Sequence, residues 1–333
     1  MKTPIEGQFA GCLIGQCLGD ALGFPVEGCS PNLSQRYIEA LRSGKTFEQT
    51  YQGYRFGQYS DDSQLARELL QSYVERADFE PSDYAARIAA IFAEGRIVGH
   101  GVGTKEAARR LIDGTPWEEA GSEPPYAGNG SAMRAAPIGL LFYDNPRRMI
   151  QAAHDQSRIT HKDRRCSAGA IAIAGAVAIA LRPENINPIT FLSRLSEWST
   201  PFDPVLGETL KHQMPQWLKL APEDAAAQIR SGAPREYSDK WQGISHYVTS
   251  SVLWALYSFL KNPDDYWEAD CTAISAGGDV DTTAAMAGAI SGARVRLEKL
   301  PLHLAKLLND NGSWTYDELN ELAHRAFLIK TKQ

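Results

Sequence analysis

The stretch Gly277-Gly278-Asp279-Val280-Asp281-Thr282-Thr283-Ala284-Ala285-Met286-Ala287-Gly288-Ala289-Ile290 holds the two signals that decide the reading of this chain. Its first part sets two glycines, which free the backbone, directly before two carboxylates. Its second part is a run of small apolar residues that reads as a helix. Glycine lowers helix stability, so its repeated use inside helices points to close approach of a second backbone. The same composition recurs in Gly11 to Gly23 and in Ser167 to Leu181. Three such segments predict helices packed tightly around a common centre.

The flanking segments are helical as well. Leu65, Leu69, Leu70, Tyr73 and Val74 recur at helical spacing, as do Ile88, Ile91 and Phe92, and Val252, Leu253, Leu256, Phe259 and Leu260. Alternating strand patterns are scarce. No low-complexity linker divides the chain; Gly121 to Tyr126 and Pro201 to Pro204 read as loops between helices. The expected fold is all-α, a compact single-domain helical bundle spanning residues 1–333.

Composition limits the function classes. Hydrophobic residues at 43% and charged residues at 22% fit a folded globular chain rather than a disordered one. A net charge of -6 gives no electrostatic reason to hold a nucleic-acid backbone. Five cysteines without a CxxC pair argue against both a disulfide framework and a thiolate zinc site. Met1 to Gln8 lacks a basic segment followed by an apolar run, so no leader is expected. The longest apolar stretch, read as Ala168 to Leu181, is too short to span a bilayer. A cytoplasmic protein with no membrane partner is expected.

The chemistry lies in two acidic clusters. Ser60-Asp61-Asp62-Ser63 precedes an amphipathic run, and alone it reads as a helix cap with acids at the positive end of the dipole. Asp279-Val280-Asp281-Thr282 changes the weighing. Asp279 and Asp281 are two apart, so in an extended segment they point to one side. A cap needs one carboxylate, and two aimed together repel unless positive charge lies between them. A metal ion meets that need once the clusters meet in space. Carboxylates with Ser and Thr hydroxyls are hard donors that suit Mg²⁺, Mn²⁺ or Ca²⁺. The absence of His and Cys from both clusters weakens zinc.

At this point the chain resembles the ADP-ribosylglycohydrolase family. The match runs in order through Gly11 to Gly28, the Ser60 cluster, Gly128-Asn129-Gly130-Ser131-Ala132-Met133-Arg134, Ser157-Arg158-Ile159-Thr160-His161 and Gly277 to Thr282. The resemblance implies an all-α fold with two Mg²⁺ (or Mn²⁺) ions held by Ser60, Asp61, Asp62, Asp279, Asp281 and Thr282. Ser60 and Ser63 stand where the family usually has Thr, and Val280 where it usually has Thr; the hydroxyl donor at position 60 is kept. Glu27 matches a glutamate that some branches place beside the metals, where it would orient or deprotonate water. Catalysis is expected from Glu27, Asp61, Asp62 and Asp279.

The same resemblance implies that Gly128, Asn129, Gly130 and Ser131 hold the pyrophosphate and ribose. A glycine-rich turn before a helix start suits an anion. Arg134 is either a phosphate contact or a structural partner. His161 matches a histidine near the substrate ribose, and Tyr126 is a candidate for stacking on the adenine or ribose. Arginine-specific members carry an Asp after the segment that corresponds to Val98 to Thr104, and this chain has none there. The implied function is a metal-dependent hydrolase removing ADP-ribose from a protein side chain or a related conjugate. O-linked substrates (serine, poly(ADP-ribose), O-acetyl-ADP-ribose) are favoured over arginine. The alternatives are arginine linkage, a non-catalytic ADP-ribose-binding relative, and a His-Asp phosphohydrolase. The last would use the dipeptide His154-Asp155 with His100 upstream, and it leaves both acidic clusters unexplained.

Overall fold

The computed structural model describes residues 4–45 and 53–332. Of the segment Met1 to Gln8 read above for a leader, the first three residues lie outside the described residues. Among the described residues the named elements are all helices, and strand pairing is limited to isolated bridges. The fold is all-α, as the spacing predicts. Seven helices position the site: α1 (Glu6–Gly23), α2 (Asp61–Arg76), α3 (Pro146–Arg158), α4 (Arg164–Ala180), α5 (Val248–Lys261), α6 (Tyr266–Ser275) and α7 (Val280–Val295).

The axis of the structure is the pair α1 and α7. Gly11, Gly15 and Gly19 recur every fourth residue and therefore share one face of α1. A Cβ on Gly11 would stand 2.4 Å from the carbonyl oxygen of Gly292. On Gly15 it would stand 2.5 Å from that of Gly288, and on Gly19 2.3 Å from that of Ala284. The contact is mutual, since a Cβ on Gly292 would meet the Gly11 oxygen at 1.9 Å. The two backbones thus touch along their length, at a separation only glycine permits. Positions rise on α1 as they fall on α7, so the helices are antiparallel. The C-terminal end of α1 consequently meets the first turn of α7, where a Cβ on Gly23 would lie 2.5 Å from the Asp281 Cα.

Helices α4, α5 and α6 pack around α7; α4 and α5 are buried nearly all round, whereas α6 keeps a partly exposed face that carries Glu268. The core is one continuous cluster running from Phe9 to Ala326. The segment Glu6–Val26 is long and apolar enough to cross a membrane by length and composition, so Ala168 to Leu181 is not the longest candidate. Since 94% of that window is buried inside the fold, it is the core helix that composition alone mimics. The five cysteines are unpaired, and four of them are buried.

One local expectation is corrected. Asp279 and Asp281 do not sit on an extended segment. Asp279 is the N-cap of α7, and Asp281 lies in its first turn. Their convergence comes from the loop before them, where Gly277 (φ +66) and Gly278 (φ +85) take left-handed backbone. A Cβ on Gly278 would stand 2.1 Å from the Ile244 oxygen.

Gly292→Ala is expected to lower stability by about 1–3 kcal/mol or more, because the facing atom is backbone and cannot swing away. Gly232→Ala, where the nearest atom would lie at 3.5 Å, should change stability by less than about 0.5 kcal/mol. Urea midpoints of the two variants check this.

Candidate metal centre

Helix α2 starts with its capping needs met from elsewhere. The Ser60 hydroxyl accepts from the Asp62 amide at 3.3 Å. Asp20, from α1, accepts from the Ser60 amide at 2.9 Å and the Ser63 amide at 3.0 Å. These bonds satisfy donors that a helix start leaves open. Asp61 and Asp62 are thereby released from the capping role that the sequence alone suggests, and both line the cavity beyond. At the start of α7, Asp279 likewise makes no side-chain cap bond. Its Oδ2 instead accepts from the Asn129 amide at 2.5 Å, and the Asp281 carboxylate accepts from the Thr282 amide at 2.8 Å.

The antiparallel α1–α7 contact brings these acids together. Oxygens of Asp20, Asp62 and Asp281 lie within 4.8 Å of one another, and so do those of Glu27, Asp279 and Asp281. Asp281 belongs to both groups, which gives two adjacent positions sharing one carboxylate. Five carboxylates (Glu27, Asp61, Asp62, Asp279 and Asp281) line a cavity of about 270 Å³, and among its described lining residues there is no Lys or Arg.

Electrostatics follows from that arrangement. Burial, and then the neighbouring carboxylates, push Asp61, Asp62 and Asp281 well above the usual carboxylate range. Burial also raises Asp279, although Asn129 offsets part of the rise. Asp20 is raised to about 6 by burial. Glu27 is raised to about 7 by burial and by the nearby Asp279. Such a group of acids is stable only if protons or cations neutralise it. The donors fit a divalent ion: they are hard oxygens, they come in two groups of three, and Asp62 Oδ1 is buried without a partner. The metal-ion reading of the clusters therefore extends to Asp20, which the sequence reading quoted in a motif but gave no role. A lone Asp inside an apolar helix is the signal that could have found it, since a buried charge needs a counterpart.

Gly128, Asn129, Gly130, Tyr126 and His161 also line the cavity. Tyr126 stacks on His161 with ring centres 5.6 Å apart, and its hydroxyl accepts from the Gly103 amide at 3.2 Å. Thr282 lines the cavity beside Asp281. Ser60 sits behind this wall and donates to Asp62 Oδ2 at 2.9 Å. Ser131 is fully buried, and its hydroxyl donates to the Cys166 carbonyl at 3.2 Å, which leaves its backbone as the part of it that could face a ligand.

Arg134 does not reach the cavity either, being held by Gln156 and Thr160. Of the two roles open to it in the sequence, the structure gives the structural one. His154 bonds Ser167 and packs on Phe202, while Asp155 accepts from Gln151. Neither lines the cavity, so the dipeptide forms no His-Asp metal site there. Trp241, His246, His100 and Thr104 do line it. They fall outside the quoted motifs apart from His100 and Thr104, and no spacing singles them out.

Comparison with known proteins places these observations. The profile of the ADP-ribosylglycohydrolase family matches residues 1–333. An uncharacterized protein of Archaeoglobus fulgidus is 30% identical over 291 residues, 87% of this chain and 88% of that one. ADP-ribosylhydrolase ARH3 of Xenopus tropicalis is 29% identical over 333 aligned positions, 91% of each chain. A solved structure described as an ADP-ribosylglycohydrolase-related protein complex superposes with a TM-score of 0.73 at 24% identity, covering 98% of both chains. That last likeness speaks to the fold.

The raised acids give a pH prediction for metal-free protein. Asp20 and Glu27 keep their protons in the fold up to about pH 6 and about pH 7, whereas unfolded carboxyls release them near pH 4. Their contribution is present in full below about pH 4 and is lost as pH rises through 6 to 7. Thermal midpoints in EDTA should therefore fall between about pH 5 and about pH 8. Added Mg²⁺ or Mn²⁺ should restore stability at the upper pH and do little at the lower, where protons compete for the same oxygens.

Proposed function

Because this chain belongs to the ADP-ribosylglycohydrolase family, we propose that it is a divalent-metal-dependent hydrolase that cleaves the glycosidic bond between ADP-ribose and an oxygen acceptor. Serine-linked ADP-ribose, poly(ADP-ribose) and O-acetyl-ADP-ribose are the substrate class. The observation that carries this reading is the cavity with five carboxylates and, among its described lining residues, no Lys or Arg, bordered by a glycine-rich turn. The acid-lined wall suits divalent cations, and the glycine-rich turn beside it suits a pyrophosphate.

Asp20, Asp62 and Asp281 would hold one ion, and Glu27, Asp279 and Asp281 the other, with Asp61 and Thr282 adjoining and Ser60 supporting Asp62. Magnesium or manganese bound there supplies charge neutralisation and Lewis-acid polarisation. The chain's own groups do the rest. Glu27, beside Asp279 in the cavity wall, would orient or deprotonate the attacking water. The Asn129 side-chain amide ties the glycine-rich turn to Asp279, which links the turn directly to the acid cluster. Tyr126 stacks against His161 and offers an aromatic wall to the sugar or base.

The oxygen preference rests on the Val98 to Thr104 segment, which has no carboxylate to greet a guanidinium leaving group. Gly99 instead brings bare backbone against Asp61; a Cβ there would lie 3.3 Å from Asp61 Oδ1. The likeness to ADP-ribosylhydrolase ARH3 supports the same preference.

Asp279→Asn should lower turnover by more than about 100-fold, the upper end for losing a group that merely supports a metal ligand, with the helical circular dichroism signal retained. A panel of serine-linked, arginine-linked and polymeric ADP-ribose, run with Mg²⁺ and with EDTA, reads the linkage. Release from oxygen-linked substrates in Mg²⁺ alone is expected. Release from arginine alone would overturn the preference, and no release from any would overturn the enzyme reading.

A further inference from the structure

His161 is 1% exposed and reaches the cavity by one edge of its ring. The Cε1–Nε2 edge faces Gly130, another residue of the cavity wall: a Cβ on Gly130 would stand 2.8 Å from Cε1 and 3.4 Å from Nε2. The opposite nitrogen, Nδ1, lies 2.8 Å from the Thr160 hydroxyl. Either nitrogen of a neutral imidazole can carry the proton, and the partner of the buried one decides which does.

Behind Thr160 stands Arg134, with no exposed surface. Its Nη2 donates to the Thr160 Oγ1 at 2.8 Å and to the Gln156 carbonyl at 2.9 Å, and its Nε donates to Gln156 Oε1 at 2.9 Å. Gln156 in turn donates to the Ser131 carbonyl at 2.9 Å. A guanidinium has donors only, so the Thr160 oxygen must accept from it. Thr160 is fully buried, and His161 Nδ1 is the remaining hydrogen-bond partner recorded for its hydroxyl. Were Nδ1 protonated, the hydroxyl would accept twice and its own proton would be buried without an acceptor, a costly outcome. The proton order Arg134 to Thr160 to Nδ1 is the arrangement that satisfies both the Thr160 hydroxyl and His161 Nδ1. Burial and the Arg134 charge also hold the ring neutral, with its pKa lowered to about 3.

We infer that Arg134 and Thr160 are positioning residues that lock His161 as the Nε2–H tautomer, so that His161 offers the cavity a hydrogen-bond donor and selects an oxygen that brings a lone pair. His161 then does not serve as a general base, because its cavity-facing nitrogen has no free lone pair. A phosphate oxygen is such an acceptor, and Gly130 lies directly against the donor edge. Tyr126, stacked at 26° to the ring plane, fixes the direction of the N–H. The ligand's identity rests on the function proposed above; the tautomer does not.

The test separates the two. ¹⁵N-histidine-labelled full-length protein without ligand is examined by long-range ¹H–¹⁵N correlation, with His161 assigned from the signals lost in His161→Asn. Wild type should give the Nε2–H pattern near neutral pH. Thr160→Ser keeps the hydroxyl and should keep the pattern. Thr160→Val removes it and should shift His161 to Nδ1–H or to a mixture. ADP-ribose affinity should fall about tenfold in Thr160→Val and stay within about twofold in Thr160→Ser. An Nδ1–H pattern in wild type overturns the inference, as does an unchanged Nε2–H pattern in Thr160→Val. If Thr160→Val does not fold, the wild-type and Thr160→Ser spectra still decide. The expected spectra together with no ADP-ribose binding by wild type would leave the tautomer lock standing and remove the proposed ligand.

Discussion

Backbone contact between α1 and α7 is the constraint on which everything else depends. Gly11, Gly15 and Gly19 accept the carbonyls of Gly292, Gly288 and Ala284 at a distance no side chain tolerates. Such contact is sustained by dispersion and by Cα–H···O approaches, each small and many together. Its antiparallel sense delivers Asp20 and the loop ending at Glu27 onto the first turn of α7. Two carboxylate groups from opposite ends of the sequence therefore share Asp281 without any strand or long loop to hold them.

That geometry creates an electrostatic problem which the protein alone does not solve. Burial pushes every acid at the centre upward, and neighbouring carboxylates add to the rise at Glu27, Asp61, Asp62 and Asp281, while the Arg134 guanidinium bonds Gln156 and Thr160 rather than an acid. The helix starts offer only partial charge. In the function proposed above divalent cations would complete the balance, and the acids that call for them are brought together by the helix packing rather than by a loop. The polar groups behind the wall serve the cavity in a similar way. Asp20 caps α2 so that Asp61 and Asp62 stay free, Asn129 braces Asp279, and Arg134 sets the ring of His161 through Thr160.

Much of this was legible in the sequence because its period is local. Amphipathic spacing marked α2 and α5, and glycine and alanine content marked α1, α4 and α7. The Gly277-Gly278 pair announced a turn that no other residue would make. The acids were legible as a class, since Asp279 and Asp281 together exceed the one carboxylate that a cap requires. What stayed hidden was set by tertiary contact. Asp20 looked like one residue of a small-residue helix, and its capping bonds to Ser60 and Ser63 cross 40 and 43 positions. Ser131 read as part of a ligand turn, yet the turn points its hydroxyl back toward Cys166. Asp279 and Asp281 were expected to align through strand geometry, and they align through a helix start. Trp241 and His246 come from a loop whose approach to the cavity no pattern records.

The central claim, that the α1–α7 crossing builds a two-ion site around Asp281, is tested most directly by a crystal structure of the protein equilibrated with Mn²⁺ and measured for anomalous scattering. The account predicts two anomalous peaks, one among Asp20, Asp62 and Asp281 and one among Glu27, Asp279 and Asp281, both adjoining the Asp281 carboxylate. Absence of any peak within coordination distance of Asp281 in protein that keeps this fold would contradict it.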